Sequence, residues 1–233
     1  MSGNQTLVDK ILAGFDMASG MLRASWGDPH AWESSLRRFE ARDRLRPPRP
    51  GAVVFTGSSS ITFWDSLERD MAPLPVLNRG FGGSRILEVA AAVDRVVVPY
   101  KPRAVVLFAG TNDIAWPRPA AARQVFDGYL EFVRRLRAGL PETPLYYVSI
   151  TPTPSRWEYW PIVREANRLI QDYAKTDPCL HFIDLVPAIL GPDGTPRREL
   201  FRSDRLHPNA AGYQKWTAVI KPVLLADLGN EAG

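Results

Sequence analysis

Cysteine is almost absent from this sequence. The 233 residues include one cysteine, Cys179, which excludes an intramolecular disulfide framework and a structural zinc site built from cysteines. The chain also lacks an apolar run of about 18 residues, the length that a membrane span needs. Its first segment carries Asp9, Lys10, Asp16 and Arg23, where a signal peptide would have an apolar core. We therefore expect a cytoplasmic chain without a membrane span.

Net charge is also small. Lysine and arginine number 29 against 25 aspartate and glutamate, a formal net charge of +4. The arginines are scattered from Arg23 to Arg205, with one local group between Arg37 and Arg49, whereas a nucleic-acid binder clusters its basic residues on one face. With 45% hydrophobic and 23% charged residues, the composition is that of a soluble globular protein. We expect no nucleic-acid partner.

Proline divides the chain once. The segment 46–51 holds three prolines, which exclude a helix and impose an extended link. Before it, residues 6–23 and 31–44 have helical spacing of apolar residues, but they are too short to form a domain. We expect residues 1–50 to be a helical extension packed on a domain of residues 51–233. The extension could cover part of the sheet or support a homo-oligomer.

After residue 51, short apolar runs alternate with amphipathic segments. The runs are typical of strands buried on both faces of a parallel sheet, and they span residues 52–55, 76–77, 104–108, 145–150 and 180–183. The segments between them have helical periodicity, and a last helix is expected at 209–225, tolerating or kinking at Pro222. This alternation predicts a three-layer α/β/α sandwich with a five-stranded parallel sheet. Its working site should lie at the carboxyl ends of the strands.

Four segments that follow predicted strands could carry chemistry. Residues 56–62 contain three consecutive serines, 78–84 are glycine-rich, 110–113 read Gly-Thr-Asn-Asp, and 203–209 hold Asp204 and His207 three residues apart. Each has a structural alternative, such as a helix cap or a tight turn. Together they favour a nucleophilic serine, because its hydroxyl needs a base and that base works best beside a carboxylate.

In this order, the four segments resemble the conserved blocks of the SGNH-hydrolase superfamily, also called GDSL-type esterases and lipases. The resemblance spans roughly residues 52–225. It implies Ser59 as the nucleophile, with Asp204 and His207 as the acid and base. It also implies an oxyanion hole formed by the backbone N–H groups of Ser59 and Gly83 and the side chain of Asn112. A flavodoxin-like strand order and no cofactor are further implications.

One position departs from the family's pattern. Ser58 stands where the family usually has an aspartate before the nucleophile. A shift of register by one residue would make Ser58 or Ser60 the attacking serine.

The loops at this edge are rich in aromatic residues and arginine. Aromatic rings suit a short acyl chain, an aryl ester or the face of a sugar, although they could equally be core. The candidate substrate-binding residues are Trp64, Trp116 and Trp157. Four arginines lie in or near these loops: Arg79, Arg85, Arg118 and Arg156. The first interpretation is that they are ordinary surface residues, and the alternative is that they recognise an anionic leaving group.

The expected function is a serine esterase that hydrolyses small carboxylic esters through an acyl-enzyme, without a metal. Two alternatives remain open. The same site could serve a thioesterase or an acyltransferase. Alternatively, the chain could be a catalytically silent flavodoxin-like module whose 56–62 loop binds a phosphate at a helix N-terminus, although this leaves 110–113 and 204–207 without a purpose.

Overall fold

A computed structural model of the protein describes residues 7–25, 28, 30–115 and 120–229. Its strands are β1 (Val53–Gly57), β2 (Val76–Gly80), β3 (Ala104–Phe108), β4 (Leu145–Val148) and β5 (Leu180–Ile183). Its helices are α1 (Leu7–Ser25), α2 (Glu33–Leu45), α3 (Ser59–Thr62), α4 (Leu67–Met71), α5 (Ile86–Ala91), α6 (Val93–Val96), α7 (Thr111–Ile114), α8 (Ala121–Gly139), α9 (Trp160–Ala174), α10 (Val186–Ile189) and α11 (Ala210–Leu228). Short 3₁₀ segments occupy Val98–Tyr100, Pro154–Tyr159 and Arg198–Leu200.

The strands form one parallel sheet in the order β2-β1-β3-β4-β5. β1, β3 and β4 are buried along their whole length, as expected of strands that helices cover on both faces. Gly57 at the end of β1 lies opposite Gly80 of β2 and Phe108 of β3. The carboxyl ends of three adjacent strands therefore meet at one edge of the sheet.

Helices pack on both faces of this sheet. One face is covered by α2, α5, α6, α8 and α9, with Phe39, Val89 and Tyr129 among the buried side chains. The other is covered by α3, α4, α10 and α11, where Trp216 and Met71 are buried. The predicted three-layer sandwich and the flavodoxin-like strand order are confirmed. Within the described residues, no helix is both long and apolar enough to cross a membrane.

A buried ion pair joins α2 to the sheet. Nη2 of Arg79, a residue of β2 that is 2% exposed, lies 2.5 Å from Oδ1 of Asp43 in α2. The guanidinium also lies over the rings of Phe39 and Tyr100. Arg79 is therefore an interior residue, and the sequence-based alternative that it contacts an anionic leaving group is wrong. Its charge needs Asp43, because an unpaired charge at this depth is costly.

Candidate active site

Ser59 is placed by a sharp turn between β1 and α3. Gly57 has φ +139°, and a Cβ there would lie 2.0 Å from the carbonyl oxygen of Phe108, so only glycine lets β1 approach β3 this closely. The N–H of Ser58, which is extended, donates to that same carbonyl at 3.1 Å. Ser59 then begins α3. The turn brings its side chain to the carboxyl edge of the sheet.

Three side chains from distant parts of the chain form a continuous hydrogen-bonded array at this edge. Ser59 Oγ lies 2.7 Å from Nε2 of His207. Nδ1 of the same ring lies 2.7 Å from Oδ2 of Asp204. Ser59 is 7% exposed, and the side chains of His207 and Asp204 are 13% and 45% exposed. The predicted serine, histidine and aspartate are therefore brought together.

The Asp204 carboxylate also builds the turn that carries the histidine. Its Oδ1 accepts the backbone N–H groups of Leu206 at 2.8 Å and His207 at 3.0 Å. Burial raises the pKa of Asp204, but the hydrogen bonds from the His207 side chain and from the two backbone N–H groups outweigh it and hold the pKa below its usual value. The carboxylate is therefore ionised at neutral pH and can stabilise a positive imidazole.

Phe63 packs against the histidine ring, and Arg202 packs on Phe63 from behind. The Phe63 ring meets the His207 ring edge to face, with centroids 5.0 Å apart. The Arg202 guanidinium lies 4.9 Å above the Phe63 ring and donates to the carbonyls of Phe63 and Pro208. No motif in the sequence marks Arg202 for this role, because it acts through packing and not through the chemistry of a recognised block.

Asn112 joins the end of β3 to the glycine-rich loop after β2. Its Nδ2 donates to the Ser84 carbonyl at 3.0 Å, which leaves the second hydrogen of the amide available. The next residue, Asp113, accepts the N–H of Ile86 at the start of α5. Burial raises the pKa of Asp113 to about 7, against the lowering effect of that N–H. The two side chains fix α5 and the glycine loop to the edge of β3.

The glycine loop itself carries uncommitted backbone donors. Gly83 has φ +83°, a conformation that glycine adopts without strain. Among the described residues, neither the Gly83 N–H nor the Ser59 N–H donates a hydrogen bond. The Ser59 and Gly83 N–H groups and the second hydrogen of the Asn112 amide are therefore donors without an acceptor in the described part of the chain.

Helix α1 lies against the same loop. A Cβ added at Gly83 would lie 2.5 Å from Cγ of Met21, and one added at Gly82 would lie 2.7 Å from Sδ of Met17. Trp32, before α2, packs on Phe81 with ring centroids 5.9 Å apart. The N-terminal helices therefore support the glycine loop directly, a contact that sequence spacing does not reveal.

The three tryptophans predicted to bind substrate have different outcomes. Trp64 is 1% exposed and stacks on Tyr213 at 5.1 Å in the core, so it presents no surface to a ligand and that prediction is wrong. Trp157 follows β4, is partly exposed and stacks on Trp160; its role stays a prediction. Trp116 lies outside the described residues, as does Arg118.

A hydrogen-bonded serine, histidine and aspartate at the carboxyl edge of a parallel α/β sheet is an arrangement that serine hydrolases use on several folds. Comparison of the sequence with known families identifies the family of this chain. Residues 51–215 match the GDSL-like Lipase/Acylhydrolase family, and the chain belongs to this family, within the SGNH-hydrolase superfamily. It is a carboxylic ester hydrolase.

Several known proteins are similar in sequence or in fold to most of this chain. The human platelet-activating factor acetylhydrolase IB subunit alpha1 is 26% identical over 211 residues, covering 87% of this chain and 86% of the relative. A GDSL-like lipase from Bacteroides thetaiotaomicron is 21% identical, with a TM-score of 0.66 over 82% of this chain and 98% of its own. A carbohydrate esterase family 3 structure from Talaromyces cellulolyticus is 19% identical, with a TM-score of 0.61 over 77% and 98%.

Proposed function

We propose that Ser59, His207 and Asp204 are the catalytic triad of this esterase. The observation that carries the proposal is the pair of 2.7 Å contacts that runs from the Ser59 hydroxyl through the His207 ring to the Asp204 carboxylate. His207 accepts the proton of Ser59 as the hydroxyl attacks the ester carbonyl, and then gives it to the leaving alcohol. Asp204 keeps a proton on Nδ1, so that Nε2 is free to act as the base.

The oxyanion of the tetrahedral intermediate is held by three donors in this proposal. They are the backbone N–H groups of Ser59 and Gly83 and the Nδ2 of Asn112. Support comes from the uncommitted state of both backbone N–H groups among the described residues and from the fixed position of Asn112 on the Ser84 carbonyl. Donors that are already in place need no reorganisation as charge develops on the oxygen. A water molecule, activated by His207, then releases the acyl group from Ser59.

Replacement of Asn112 by alanine is expected to lower kcat by about 100- to 1,000-fold, the usual cost of removing one oxyanion donor. KM should change little, because the donor acts mainly in the transition state. Steady-state kinetics on p-nitrophenyl acetate measures both constants, and thermal unfolding checks that the loss of the Ser84 contact has not unfolded the variant. Asn112→Asp is the isosteric comparison, with charge of the wrong sign for an oxyanion. A kcat within threefold of the wild type in a folded Asn112→Ala protein would remove Asn112 from the oxyanion hole.

Small esters with short acyl chains, aryl groups or acetylated sugars are the proposed substrates. Two observations support short acyl groups. The connections from β2 to α5 and from β4 to α9 run over residues 81–85 and 149–159 and carry no extended apolar insertion that would cover a long chain. The names of two relatives, an acetylhydrolase and a carbohydrate esterase, also point to small acyl groups or sugar esters.

Hydrolysis of p-nitrophenyl acetate, butyrate and octanoate tests the proposed activity and its chain-length preference. We expect Ser59-dependent turnover, with kcat/KM highest for the two shorter esters. A higher kcat/KM for octanoate would contradict the short-chain assignment while leaving the esterase in place. No turnover of any of the three esters by folded protein would contradict the proposed substrate class.

We also propose that residues 1–50 form a helical extension that belongs functionally to the domain of residues 51–233. Its contacts support this: Asp43 pairs with Arg79 in the sheet, and Met21 packs on Gly83 of the proposed oxyanion hole. The extension thereby covers one side of the loop that the chemistry needs.

A further inference from the structure

The loop between β4 and α9 bridges the two halves of the proposed active site. Nη1 of Arg156 in this loop donates to the carbonyl of Thr111, the residue directly before Asn112. The N–H of the neighbouring Ser155 donates at 3.0 Å to the carbonyl of Arg205, in the turn that carries the proposed acid and base. This loop therefore contacts both the segment of the proposed oxyanion donor and the turn of the proposed catalytic base.

Within the described ranges, the Arg156 guanidinium has no counter-charge. No carboxylate of the described residues lies within ion-pair distance of its guanidinium, whereas Arg79 pairs with Asp43 and Arg85 with Glu88. The side chain is partly buried, and burial lowers its pKa. A partly desolvated cation without a partner is costly, and an anion bound beside it offsets that cost. Arginine suits this role because its planar fork matches the oxygens of a carboxylate or a phosphate.

Two threonine hydroxyl groups that share a cavity with Arg156 also have no hydrogen-bond partner among the described residues. Thr111 Oγ1 and Thr153 Oγ1 are buried and make no hydrogen bond to any described residue, and Thr153 is 4% exposed. Both line a cavity of about 10 Å³ together with Arg156, and its apolar walls are formed by Ile114, Ile150, Pro152, Trp160 and Val163. A volume of this size admits about one oxygen atom. Buried hydroxyls without partners carry a desolvation cost that such an oxygen would relieve.

We propose that Arg156, with the hydroxyls of Thr111 and Thr153, binds an anionic group of the ester substrate, a carboxylate or a phosphate. This inference rests on the proposed esterase function and narrows its substrate class to esters that carry a negative charge. One oxygen of the anion enters the small cavity between the hydroxyls, and the others face the guanidinium. The site lies beside Asn112, so the anion orients the ester relative to the proposed oxyanion hole.

Matched aryl acetates test the subsite. 4-Acetoxybenzoate carries a carboxylate on the leaving group, 4-acetoxyphenyl phosphate carries a phosphate, and methyl 4-acetoxybenzoate is neutral. Each is assayed with the wild type and with Arg156→Gln, and the ratio of the two kcat/KM values removes differences in leaving-group reactivity. We expect Arg156→Gln to lower kcat/KM by about 10- to 100-fold on at least one anionic ester, the usual contribution of a charged hydrogen bond. The neutral ester reports any loss that comes from the broken Thr111 contact alone, and its loss should be clearly smaller than the loss on the anionic ester.

Three variants separate binding of an anion from a structural role of Arg156. Arg156→Lys keeps the charge and is expected to recover part of the loss on the anionic ester. Thr153→Val removes one hydroxyl at nearly constant shape and should lower kcat/KM for the anionic ester only. Arg85 lies on a neighbouring loop and already pairs with Glu88. Arg85→Gln is the control and should leave the ratio of anionic to neutral turnover unchanged. The larger loss, on the carboxylate or on the phosphate ester, identifies the anion.

An equal loss on the neutral and the anionic esters would overturn the inference, because Arg156 would then act only through the Thr111 carbonyl and the position of Asn112. Turnover of the neutral ester with no effect of Arg156→Gln on either anionic ester would also overturn it while leaving the proposed function intact. If the wild type hydrolyses none of the esters, the proposed function fails, and calorimetric binding of 4-hydroxybenzoate to Ser59→Ala tests the subsite alone. Binding that is lost in Ser59→Ala/Arg156→Gln supports it, and equal or absent binding in both proteins overturns it.

Discussion

Alanine in place of Ser59 is expected to lower kcat by about 10⁵- to 10⁶-fold, the scale on which removal of a serine nucleophile acts. The hydroxyl that lies 2.7 Å from His207 Nε2 is lost, and no other group in the array can form the acyl-enzyme. The substitution deletes one polar atom from a residue that is 7% exposed, so the unfolding temperature should change little. Rates on p-nitrophenyl acetate, corrected for uncatalysed hydrolysis, measure the effect.

Ser58→Ala and Ser60→Ala are the matched controls, because they remove a hydroxyl from each neighbour of Ser59. Among the described residues, neither of these hydroxyls has a hydrogen bond to His207. Both variants should keep activity within about tenfold of the wild type, the remainder reflecting small shifts of the turn. Loss of activity in one of them, with Ser59→Ala still active, would show that the register of the nucleophile is shifted by one residue.

His207→Ala is expected to lower kcat by a similar factor, about 10⁵-fold or more, because the serine hydroxyl then has no base. The double variant Ser59→Ala/His207→Ala should be no slower than either single variant. Residues that act as one unit are not additive, and the activity that remains comes from substrate binding and the oxyanion donors alone. Single-turnover and steady-state rates of the three variants on the same ester make this comparison.

His30→Ala serves as the control for loss of an imidazole. His30 is exposed before α2 and lies outside the array, so its removal should leave kcat unchanged. Independent, multiplying losses from Ser59→Ala and His207→Ala would contradict the proposal that the two side chains act in one proton transfer.

The sheet was predictable because its strands are buried on both faces. β3 and β5 have the predicted bounds, Ala104–Phe108 and Leu180–Ile183, since continuous apolar runs leave little choice of period. β1 and β2 extend further than predicted, to Gly57 and Gly80. Those two glycines pair opposite each other, and a pairing across the sheet leaves no signal in the local sequence.

Helix bounds were less predictable where tertiary packing decides them. The segment between the second and third predicted strands has helical periodicity, but the structure divides it at Ala92 into α5 and α6. Pro222 lies inside α11, which continues from Ala210 to Leu228, so the helix tolerates the missing N–H. Such a proline costs free energy in an isolated helix, and packing of Trp216, Ile220 and Leu224 in the core offsets it here.

The site was predictable where a short motif carries the chemistry. Asp204 and His207 are three residues apart in one turn, and the turn is closed by the carboxylate itself. The prediction for Trp64 is wrong because the sequence near the nucleophile does not show whether an aromatic ring faces the core or the cleft. Whether a carboxylate lies near Arg156 depends on the fold, so the sequence alone could not show that the described residues leave this arginine without a counter-charge.

The central claim, that Ser59 is an activated nucleophile, is tested most directly by covalent labelling with a fluorophosphonate probe. The reagent should add one phosphonyl group per chain, and peptide mass spectrometry should locate it on Ser59. Labelling should be lost in Ser59→Ala and strongly slowed in His207→Ala, because the hydroxyl reacts only when a base accepts its proton. No adduct on folded wild-type protein, or an adduct on Ser58 or Ser60, would contradict the assignment of Ser59.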